Sequence, residues 1–334
     1  MKIIIPMAGK GARLRPHTLT VPKPLVSVAG KPIVQRLVED LSKATNQKID
    51  EVAFITGYFG DKIEQDLIAI AESIGAKGTI YYQDVPLGIA HAILCAQDSL
   101  TGACMIAFAD TLFRANFEFD TEEDGIIWVQ QVKDPSSFGV VKLNEVGVIT
   151  QFVEKSPTYI SDLAIVGIYY FKDGENLKNE LQYLIENDVK YKGEYQLTSA
   201  LENMREKGMQ FKTGTIDEWL DCGNKEAVVY SNQRVLENIK DEKLLAETAK
   251  VVNSVIIEPC YLGPGCIIRS SVIGPYVSIG DNSVIEHSVV SNSVIQNDSS
   301  ILNANLHNSM IGNYVEYHGR KSEISVGDFS KYTS

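Results

Sequence analysis

In the first part of the chain, short apolar runs typical of strands alternate with segments whose apolar residues have helical spacing. Residues 3–5 are three isoleucines, as expected of a strand buried on both faces of a parallel sheet. Ile33, Leu37 and Leu41 follow at helical spacing and predict an amphipathic helix. The run at 52–56 predicts the next strand, so these segments form a βαβ unit. The pattern therefore predicts an α/β domain with a Rossmann-like, mixed but mainly parallel sheet.

The same alternation continues along the chain. It predicts helices over 60–74, 88–96, 176–187, 196–207 and 224–238, and strands over 79–83 and 105–109. Strand patterns become denser between Ile126 and Phe171. We therefore expect one domain over 1–238, and the charged stretch that follows predicts a linker helix over 239–250.

A different pattern begins at residue 251. Ser-(Val/Met)-Ile or Ser-Val-Val triplets recur, with most spacings 16 or 17 residues, at Ser254, Ser271, Ser288, Ser293 and Ser309. Isoleucines also recur every six residues, at Ile267, Ile273, Ile279 and Ile285. This hexapeptide repeat predicts a left-handed parallel β-helix over 251–334. Its flat coil faces suit subunit contacts, so we expect a homo-oligomer.

Composition and charge narrow the possible functions. At 334 residues, with 44% hydrophobic and 22% charged residues, the chain is long enough for two globular domains. Its net charge of -12 opposes nucleic-acid binding, which requires an excess of cations. An anionic ligand would therefore need a local group of basic side chains or a metal ion.

The cysteines and the N-terminal sequence bear on the cellular compartment. There are five cysteines without a Cys-x-x-Cys pair, a pattern that suits a reducing compartment better than a disulfide framework. The apolar run before Pro6 is too short for a signal-peptide core or a membrane span. We therefore expect a cytoplasmic protein with no membrane partner. The five histidines lack metal-ligand neighbours in the sequence and are given no functional role.

The segment after the first strand has the chemistry of a phosphate-binding loop. It contains the glycine-rich string 7–16 and the Pro-Lys-Pro-Leu string 22–25. Glycines let backbone N–H groups approach an anion, while Arg13, Arg15 and Lys23 can neutralise its charge. The loop is neither G-x-x-x-x-G-K-[ST] nor a complete G-x-G-x-x-G.

Several motifs together identify a family resemblance. The loop string resembles the signature of the sugar-1-phosphate nucleotidylyltransferase family, and five further segments resemble family motifs in the family's order: 83–90, 108–110, 137–141, 153–155 and 219–223. The resemblance covers roughly the first 235 residues, and several family branches carry a hexapeptide-repeat tail. It implies an enzyme that makes an NDP-sugar and pyrophosphate from a nucleoside triphosphate and a hexose 1-phosphate.

The resemblance also implies the residues of the reaction centre. Arg13 would bind the triphosphate and stabilise the departing pyrophosphate, and Lys23 would contact phosphates near the reacting atoms. Asp110 and Asp221 would bind Mg2+, the expected cofactor. The sugar phosphate oxygen is already anionic, so no protein nucleophile or general base is required. Positioning and electrostatic stabilisation are then the main contributions to catalysis.

Two further groups of site residues follow from the same resemblance. The nucleotide-binding group consists of Ala8, Gly9, Gly11, Gln83 and Gly88. The sugar-phosphate-binding group consists of Gly139, Glu154 and Lys155. Gln83 and Gly88 would face the nucleobase.

The substrates remain open at the level of sequence. Lys10 and Ala12 stand where the family usually has a glycine and a threonine, a departure that bears on the sugar specificity more than on the reaction. The string 164–169 favours glucose 1-phosphate with dTTP or UTP, whereas the string 19–24 also fits a mannose-1-phosphate guanylyltransferase. A bifunctional enzyme with an added acetyltransferase activity is a further alternative, because hexapeptide β-helices also occur in acyltransferases. A catalytically inactive relative is a third.

Overall fold

The computed structural model describes residues 1–45, 47–115, 120–320 and 325–329. The chain forms two compact units. The first consists of Met1–Val26 and Lys31–Asn224, and the second of Ser27–Gly30 and Lys225–Ser334. The part of the predicted repeat domain at 321–324 and 330–334 lies outside the described residues.

The elements up to Asn224 belong to the first unit, except for β2, which belongs to the second. The strands are β1 (Lys2–Pro6), β2 (Ser27–Val28), β3 (Lys31–Pro32), β4 (Glu51–Thr56), β5 (Lys77–Tyr82), β6 (Cys104–Ala107), β7 (Thr111–Arg114), β8 (Gly125–Gln131), β9 (Gly139–Leu143), β10 (Ile149–Glu154), β11 (Leu163–Phe171), β12 (Phe211–Thr215) and β13 (Glu218–Asp221). The helices are α1 (Ile33–Thr45), α2 (Asp61–Ser73), α3 (Ile89–Cys95), α4 (Gly174–Glu186) and α5 (Leu197–Glu206).

A nine-stranded sheet forms the centre of the first unit. Its main path runs β10-β9-β11-β6-β1-β4-β5, and β8 pairs with both β11 and β12. The strands β6, β1, β4 and β5 are mutually parallel, whereas β11 runs antiparallel to β6 and β8. The predicted mixed, mainly parallel sheet is confirmed.

The apolar periodicity of the sequence corresponds to burial in the first unit. The three isoleucines of β1 have no exposed surface, and neither do Ile33, Leu37 and Leu41 on α1. The strands β1, β4 and β6 end at the same edge of the sheet, because parallel strands share a direction. The long loop after β1 therefore begins at the edge where open α/β sheets bind their ligands.

The second unit contains helix α6 (Lys225–Asn238) and a series of short parallel strands. The strands are β14 (Lys250–Val252), β15 (Val255–Ile256), β16 (Cys260–Leu262), β17 (Ile267–Arg269), β18 (Val272–Ile273), β19 (Val277–Ile279), β20 (Val284–Glu286), β21 (Val289–Ser291), β22 (Val294–Ile295), β23 (Ser300–Leu302), β24 (Asn305–His307), β25 (Met310–Ile311) and β26 (Glu316–His318).

Every third strand joins the same sheet, which gives three parallel sheets. Their orders are β14-β17-β20-β23-β26, β15-β18-β21-β24 and β16-β19-β22-β25. Ile268, Ile285 and Ile301 stack in register inside the coil, buried from solvent. The repeat is a parallel β-helix with the regular spacing expected of the left-handed form.

The serines of the recurring triplets have a structural role. The Ser271 hydroxyl donates to the Arg269 carbonyl oxygen at 2.7 Å and accepts from the Ser288 backbone N–H of the next coil at 3.0 Å. Ser288 repeats the pattern toward Ala304. Each buried serine thus satisfies its own hydroxyl and a neighbouring backbone donor, as buried polar groups require.

One sequence-based prediction, the linker helix over 239–250, is wrong. The helix ends at Asn238, and the following residues form turns, a bridge between Leu245 and Leu262, and the start of β14. The Ala246 N–H donates to the Leu262 carbonyl oxygen at 2.9 Å. The backbone therefore pairs with the first coil instead of with itself, because tertiary contacts override a weak helix preference.

Helix α6 also packs within the second unit, whereas the sequence placed it in the first domain. Asn232 Oδ1 accepts from the Ala29 N–H at 2.9 Å and from the Ser278 hydroxyl at 2.6 Å. Tyr276 donates its hydroxyl hydrogen to Glu237 at 3.1 Å. No helix in the described part of the chain has the length and apolar character that crossing a lipid bilayer requires.

Candidate active site

The loop after β1 is ordered by its own local contacts. Gly11 has a φ of 57°, a left-handed conformation that glycine adopts without strain, and the 3-10 turn Ala12–Leu14 begins after it. The Thr18 hydroxyl donates to the Gly11 carbonyl oxygen at 2.8 Å, and Leu14 is fully buried. These contacts place Arg13 in the wall of a cavity.

Lys23 lies in a second 3-10 turn, Lys23–Leu25, and forms an ion pair with Asp110. Lys23 Nζ is 2.7 Å from Asp110 Oδ2. The lysine is buried, while the aspartate follows β6 and keeps 35% of its side-chain surface exposed. The lysine charge is therefore compensated, while the carboxylate stays open to a ligand.

Asp221 comes to the same place through strand pairing. Strand β13 runs antiparallel to β7, which sets Asp221 opposite Thr111, next to Asp110 in the sequence. The Cys222 N–H also donates to the Asp110 carbonyl oxygen at 2.9 Å. Two aspartates that are distant in sequence thus lie at one point of the first unit.

The electrostatics of Asp221 show which charges surround it. Burial raises the pKa of this carboxyl above its usual value, and the Asp110 charge raises it further. The positive charges of Lys23 and Arg13 and the Gly223 N–H act in the opposite direction. Arg13, Lys23, Asp110 and Asp221, the predicted reaction-centre residues, are therefore all close neighbours.

This pair of carboxylates fits a divalent cation. Mg2+ prefers oxygen ligands and keeps several waters, so one or two carboxylates and a substrate phosphate are sufficient. A cation between Asp110 and Asp221 would also remove the repulsion that raises the Asp221 pKa. Within the described residues, no group of three or more His, Cys, Asp or Glu side chains forms a metal cage.

A cavity of about 540 Å3 opens beside these residues. Its lining combines the first loop, the segment around Gly88, and the end of β6, namely Pro6, Met7, Ala8, Gly9, Gly11, Ala12, Arg13, Lys23, Pro24, Gln83, Pro86, Gly88, Ile89, Ala92, Phe108, Ala109, Asp110, Glu194 and Gly223. All the predicted nucleotide-binding residues are among them.

Gln83 and Gly88 lie on one side of this cavity, at the end of β5 and the start of α3. Gln83 Nε2 donates to the Gly88 carbonyl oxygen at 3.1 Å. Gly88 has a φ of 114°, and a Cβ there would come within 2.5 Å of the Tyr195 carbonyl oxygen. Only glycine allows this close approach of two backbones.

The predicted sugar-phosphate residues form a second group. Gly139 pairs with Glu154 across β9 and β10. Glu154 Oε2 accepts from the Thr198 hydroxyl at 3.1 Å, and Glu154 Oε1 is 3.3 Å from Lys155 Nζ. None of the three predicted residues is among those that line the cavity.

The structure adds residues that the sequence analysis missed. Glu194 lines the cavity, Thr198 contacts Glu154, and His91 contacts Gln83. Glu194 and Thr198 lie outside the family motifs, and the sequence predicts no role for His91. The signal that finds them is spatial proximity to motif residues, which requires the fold.

Comparisons with known proteins agree on one family. Residues 2–238 match the sequence profile described as Nucleotidyl transferase. The chain is 31% identical to the glucose-1-phosphate thymidylyltransferase of Streptomyces antibioticus over 99% of both chains. It is 30% identical to the low-salt glycan biosynthesis nucleotidyltransferase Agl11 of Haloferax volcanii, over 90% of this chain and 89% of that one.

A solved structure supports the same fold. A UDP-glucose pyrophosphorylase in complex with UDP-glucose superposes with a TM-score of 0.58 at 23% identity, covering 71% of this chain and 98% of that one. At this level of identity the likeness concerns the fold.

Proposed function

The chain belongs to the Nucleotidyl transferase family, and we propose that it makes an NDP-sugar from glucose 1-phosphate and dTTP or UTP. The observation that carries the proposal is the convergence of Arg13, Lys23, Asp110 and Asp221 beside the cavity. Two cations and two carboxylates suit a reaction in which a sugar phosphate must approach a triphosphate. The full-length similarity to a glucose-1-phosphate thymidylyltransferase supports the choice of sugar.

The chemistry is an in-line displacement at the α-phosphorus. An oxygen of the sugar phosphate forms the new bond to phosphorus, and the bond to the β-phosphate oxygen breaks as pyrophosphate leaves. No proton has to be removed from the attacking oxygen, because it is already anionic. The protein contributes by binding and orienting two mutually repelling anions.

We assign the phosphate contacts to the basic residues of the first loop. Arg13 binds the triphosphate and stabilises the pyrophosphate as it departs, and Lys23 contacts the phosphates near the reacting atoms. Asp110 and Asp221 are the proposed ligands of Mg2+, which when bound neutralises charge on the triphosphate. These roles fit the electrostatic contribution expected for phosphoryl transfer.

The remaining residues position the two substrates. Backbone groups of Ala8, Gly9 and Gly11 approach the nucleotide, and Gln83 and Gly88 face the nucleobase. We assign the sugar phosphate to Gly139, Glu154 and Lys155; Glu154 pairs with Gly139 and forms an ion pair with Lys155.

We also propose that the β-helix organises a homo-oligomer and contributes no catalytic group. One of its sheets carries a row of valines in register, Val255, Val272 and Val289. The first and last are 55% and 48% exposed. An outward row of apolar side chains on a flat sheet suits contact with another copy. The double substitution Val255→Glu and Val289→Glu should dissociate the oligomer of the full-length protein, which light scattering would show as a lower molar mass in solution. A wild type that is already monomeric would contradict the proposal.

We also propose which region of the chain carries each function, and that the protein is cytoplasmic. The catalytic region is 1–238, the span that the family profile covers, although its last helix, α6, packs within the second unit, and 251–334 form the repeat domain. The five cysteines are free thiols, which fits a reducing cytoplasm.

Pyrophosphate release from a panel of substrates tests the proposed function. Four nucleoside triphosphates are combined with five sugar 1-phosphates in the presence of Mg2+. We expect turnover only when both substrates are present, with the highest kcat/KM for glucose 1-phosphate and dTTP or UTP. Turnover confined to GTP and mannose 1-phosphate would indicate the guanylyltransferase alternative, which the string 19–24 also fits. Acetyl transfer from acetyl-CoA to an amino sugar would contradict the passive role of the β-helix.

A further inference from the structure

His91 makes a polar contact with a residue of the cavity wall. It lies in the first turn of α3 (Ile89–Cys95), and its Nδ1 is 3.0 Å from Gln83 Nε2. The same Nε2 donates to the Gly88 carbonyl oxygen at 3.1 Å. His91 does not line the cavity, whereas Gln83 and Gly88 do. Its contact with Gln83 therefore links His91 to the cavity.

The Gly88 contact fixes the direction of the Gln83 amide. A backbone carbonyl oxygen only accepts hydrogen bonds, so the atom that faces Gly88 must be the amide nitrogen. An amide nitrogen has two hydrogens. One is directed to Gly88, and the second is directed to His91 Nδ1. Both donors of Gln83 are thus used within the protein, which leaves its Oε1 atom as the group available to a ligand.

This arrangement requires His91 to accept a hydrogen bond. A neutral imidazole with its hydrogen on Nε2 has an acceptor at Nδ1, whereas a protonated imidazole has none. Burial lowers the pKa of His91 below its usual value, which favours the neutral ring. The surroundings of the ring therefore agree with the role that the geometry requires.

We propose that His91 is a positioning residue for nucleotide recognition: it accepts the second N–H of Gln83 and so presents Gln83 Oε1 as a hydrogen-bond acceptor. The inference rests on the proposed function for its ligand, a nucleobase with an N–H donor such as N3–H of uracil or thymine. An amide held by two hydrogen bonds loses less conformational freedom on binding, so the ligand binds more tightly.

Two substitutions whose new side chains have similar shapes, Asn and Leu, separate the effect of the hydrogen-bond acceptor from the effect of packing. His91→Asn keeps an acceptor, because Asn Oδ1 is bonded to Cγ as His Nδ1 is. His91→Leu has a methyl group at that point and no acceptor. We expect His91→Leu to raise the KM for dTTP and UTP by about five- to tenfold, the usual effect of one lost hydrogen bond. We expect His91→Asn to remain within about twofold of the wild type, and kcat and the sugar phosphate KM to change little in both.

A double-mutant cycle tests whether His91 acts through Gln83. In a Gln83→Ala background, His91→Leu should raise the nucleotide KM no further. An equal increase with and without Gln83 would overturn the inference, and so would an unchanged KM in His91→Leu or a failure of His91→Asn to rescue. If His91→Leu folds poorly by circular dichroism, His91→Ala provides the variant without an acceptor.

Equilibrium binding separates this inference from the proposed function. Calorimetry with dTTP and UTP, without sugar phosphate, measures the same fold-changes as dissociation constants. A wild type that binds these nucleotides but releases no pyrophosphate would contradict the proposed function, while the variants would still decide the role of His91. A wild type that binds neither nucleotide would overturn the inference too.

Discussion

Lys23 and Asp110 are separated by 87 residues in the sequence, yet Lys23 Nζ and Asp110 Oδ2 lie 2.7 Å apart. The lysine comes from the loop after β1 and the aspartate from the end of β6. The two strands are parallel neighbours, so their carboxyl ends meet at one edge of the sheet. The ion pair thus connects the phosphate-binding loop with the proposed metal ligands.

Removing the Lys23 charge should impair catalysis more than folding. We expect Lys23→Met to lower kcat/KM by about a hundredfold or more, because a buried cation near the reacting phosphates is lost. Pyrophosphate release measures this effect. Lys62→Met is the matched control, since Lys62 is exposed on α2 and away from the cavity lining. Equal activities in the two variants would contradict the role of Lys23.

Asp221 should destabilise the protein when Mg2+ is absent. Its pKa in the folded chain is raised above the usual value, so the folded state disfavours the ionised form. As pH rises from about 4 through the raised pKa, the free energy of unfolding of the wild type should fall relative to that of Asp221→Asn. Urea unfolding of both proteins in EDTA, from acidic to neutral pH, measures the difference. A wild type that gains stability over Asp221→Asn across this range would contradict the account.

Gly88 should tolerate no side chain, because a Cβ would approach the Tyr195 carbonyl oxygen at 2.5 Å and its nitrogen at 2.7 Å. We expect Gly88→Ala to lower the free energy of unfolding by about 2 kcal/mol or more and to raise the nucleotide KM. Gly60→Ala is the control, since Gly60 also has a positive φ and also precedes a helix. No atom lies within 4 Å of the position that its Cβ would take. It should cost only about 1 kcal/mol. Equal losses of stability would show that backbone strain, not the close approach, explains Gly88.

The β-helix should depend on its interior serines. The Ser283 hydroxyl is fully buried, donates to the Gln296 carbonyl oxygen at 2.9 Å and accepts from the Ser299 N–H at 3.1 Å. Ser283→Ala leaves both groups without this partner, so we expect a loss of about 1–3 kcal/mol in unfolding free energy. Ser254 makes the same two contacts in the first coil, with the Val252 carbonyl oxygen and the Ser271 N–H, but it is only half-buried, so Ser254→Ala should cost less than Ser283→Ala. Denaturant unfolding compares the two, and a larger effect at Ser254 would contradict the structural role.

Much of the fold could be predicted from periodicity. The isoleucines of β1, the stripe on α1 and the repeats after 251 each extend over enough residues for one pattern to dominate. The segment 239–250 has no such pattern, and its charged residues suggested a helix. Its conformation is decided by Leu245 and Ala246, whose backbones contact Leu262. A contact with a residue so distant in sequence leaves no local signal.

The candidate site likewise contains residues that the sequence could identify and residues that it could not. The motifs that contain Arg13, Lys23, Asp110 and Asp221 could be recognised because each is a contiguous string. The position of Glu194 in the cavity wall and the contact of His91 with Gln83 could not, since they depend on neighbours that only the fold brings together. The direction of the Gln83 amide is likewise a property of two hydrogen bonds, which a residue type does not determine.

The most direct test of the account is the turnover of Asp110→Asn and Asp221→Asn as Mg2+ is varied. Each substitution preserves shape and removes one negative charge from the proposed metal site. We predict that each lowers kcat for pyrophosphate release by at least about a hundredfold, equivalent to ~2.7 kcal/mol of transition-state stabilisation, without a comparable loss of thermal stability. Near-wild-type turnover of both variants at limiting Mg2+ would show that these aspartates are not the metal ligands and would contradict the proposed site.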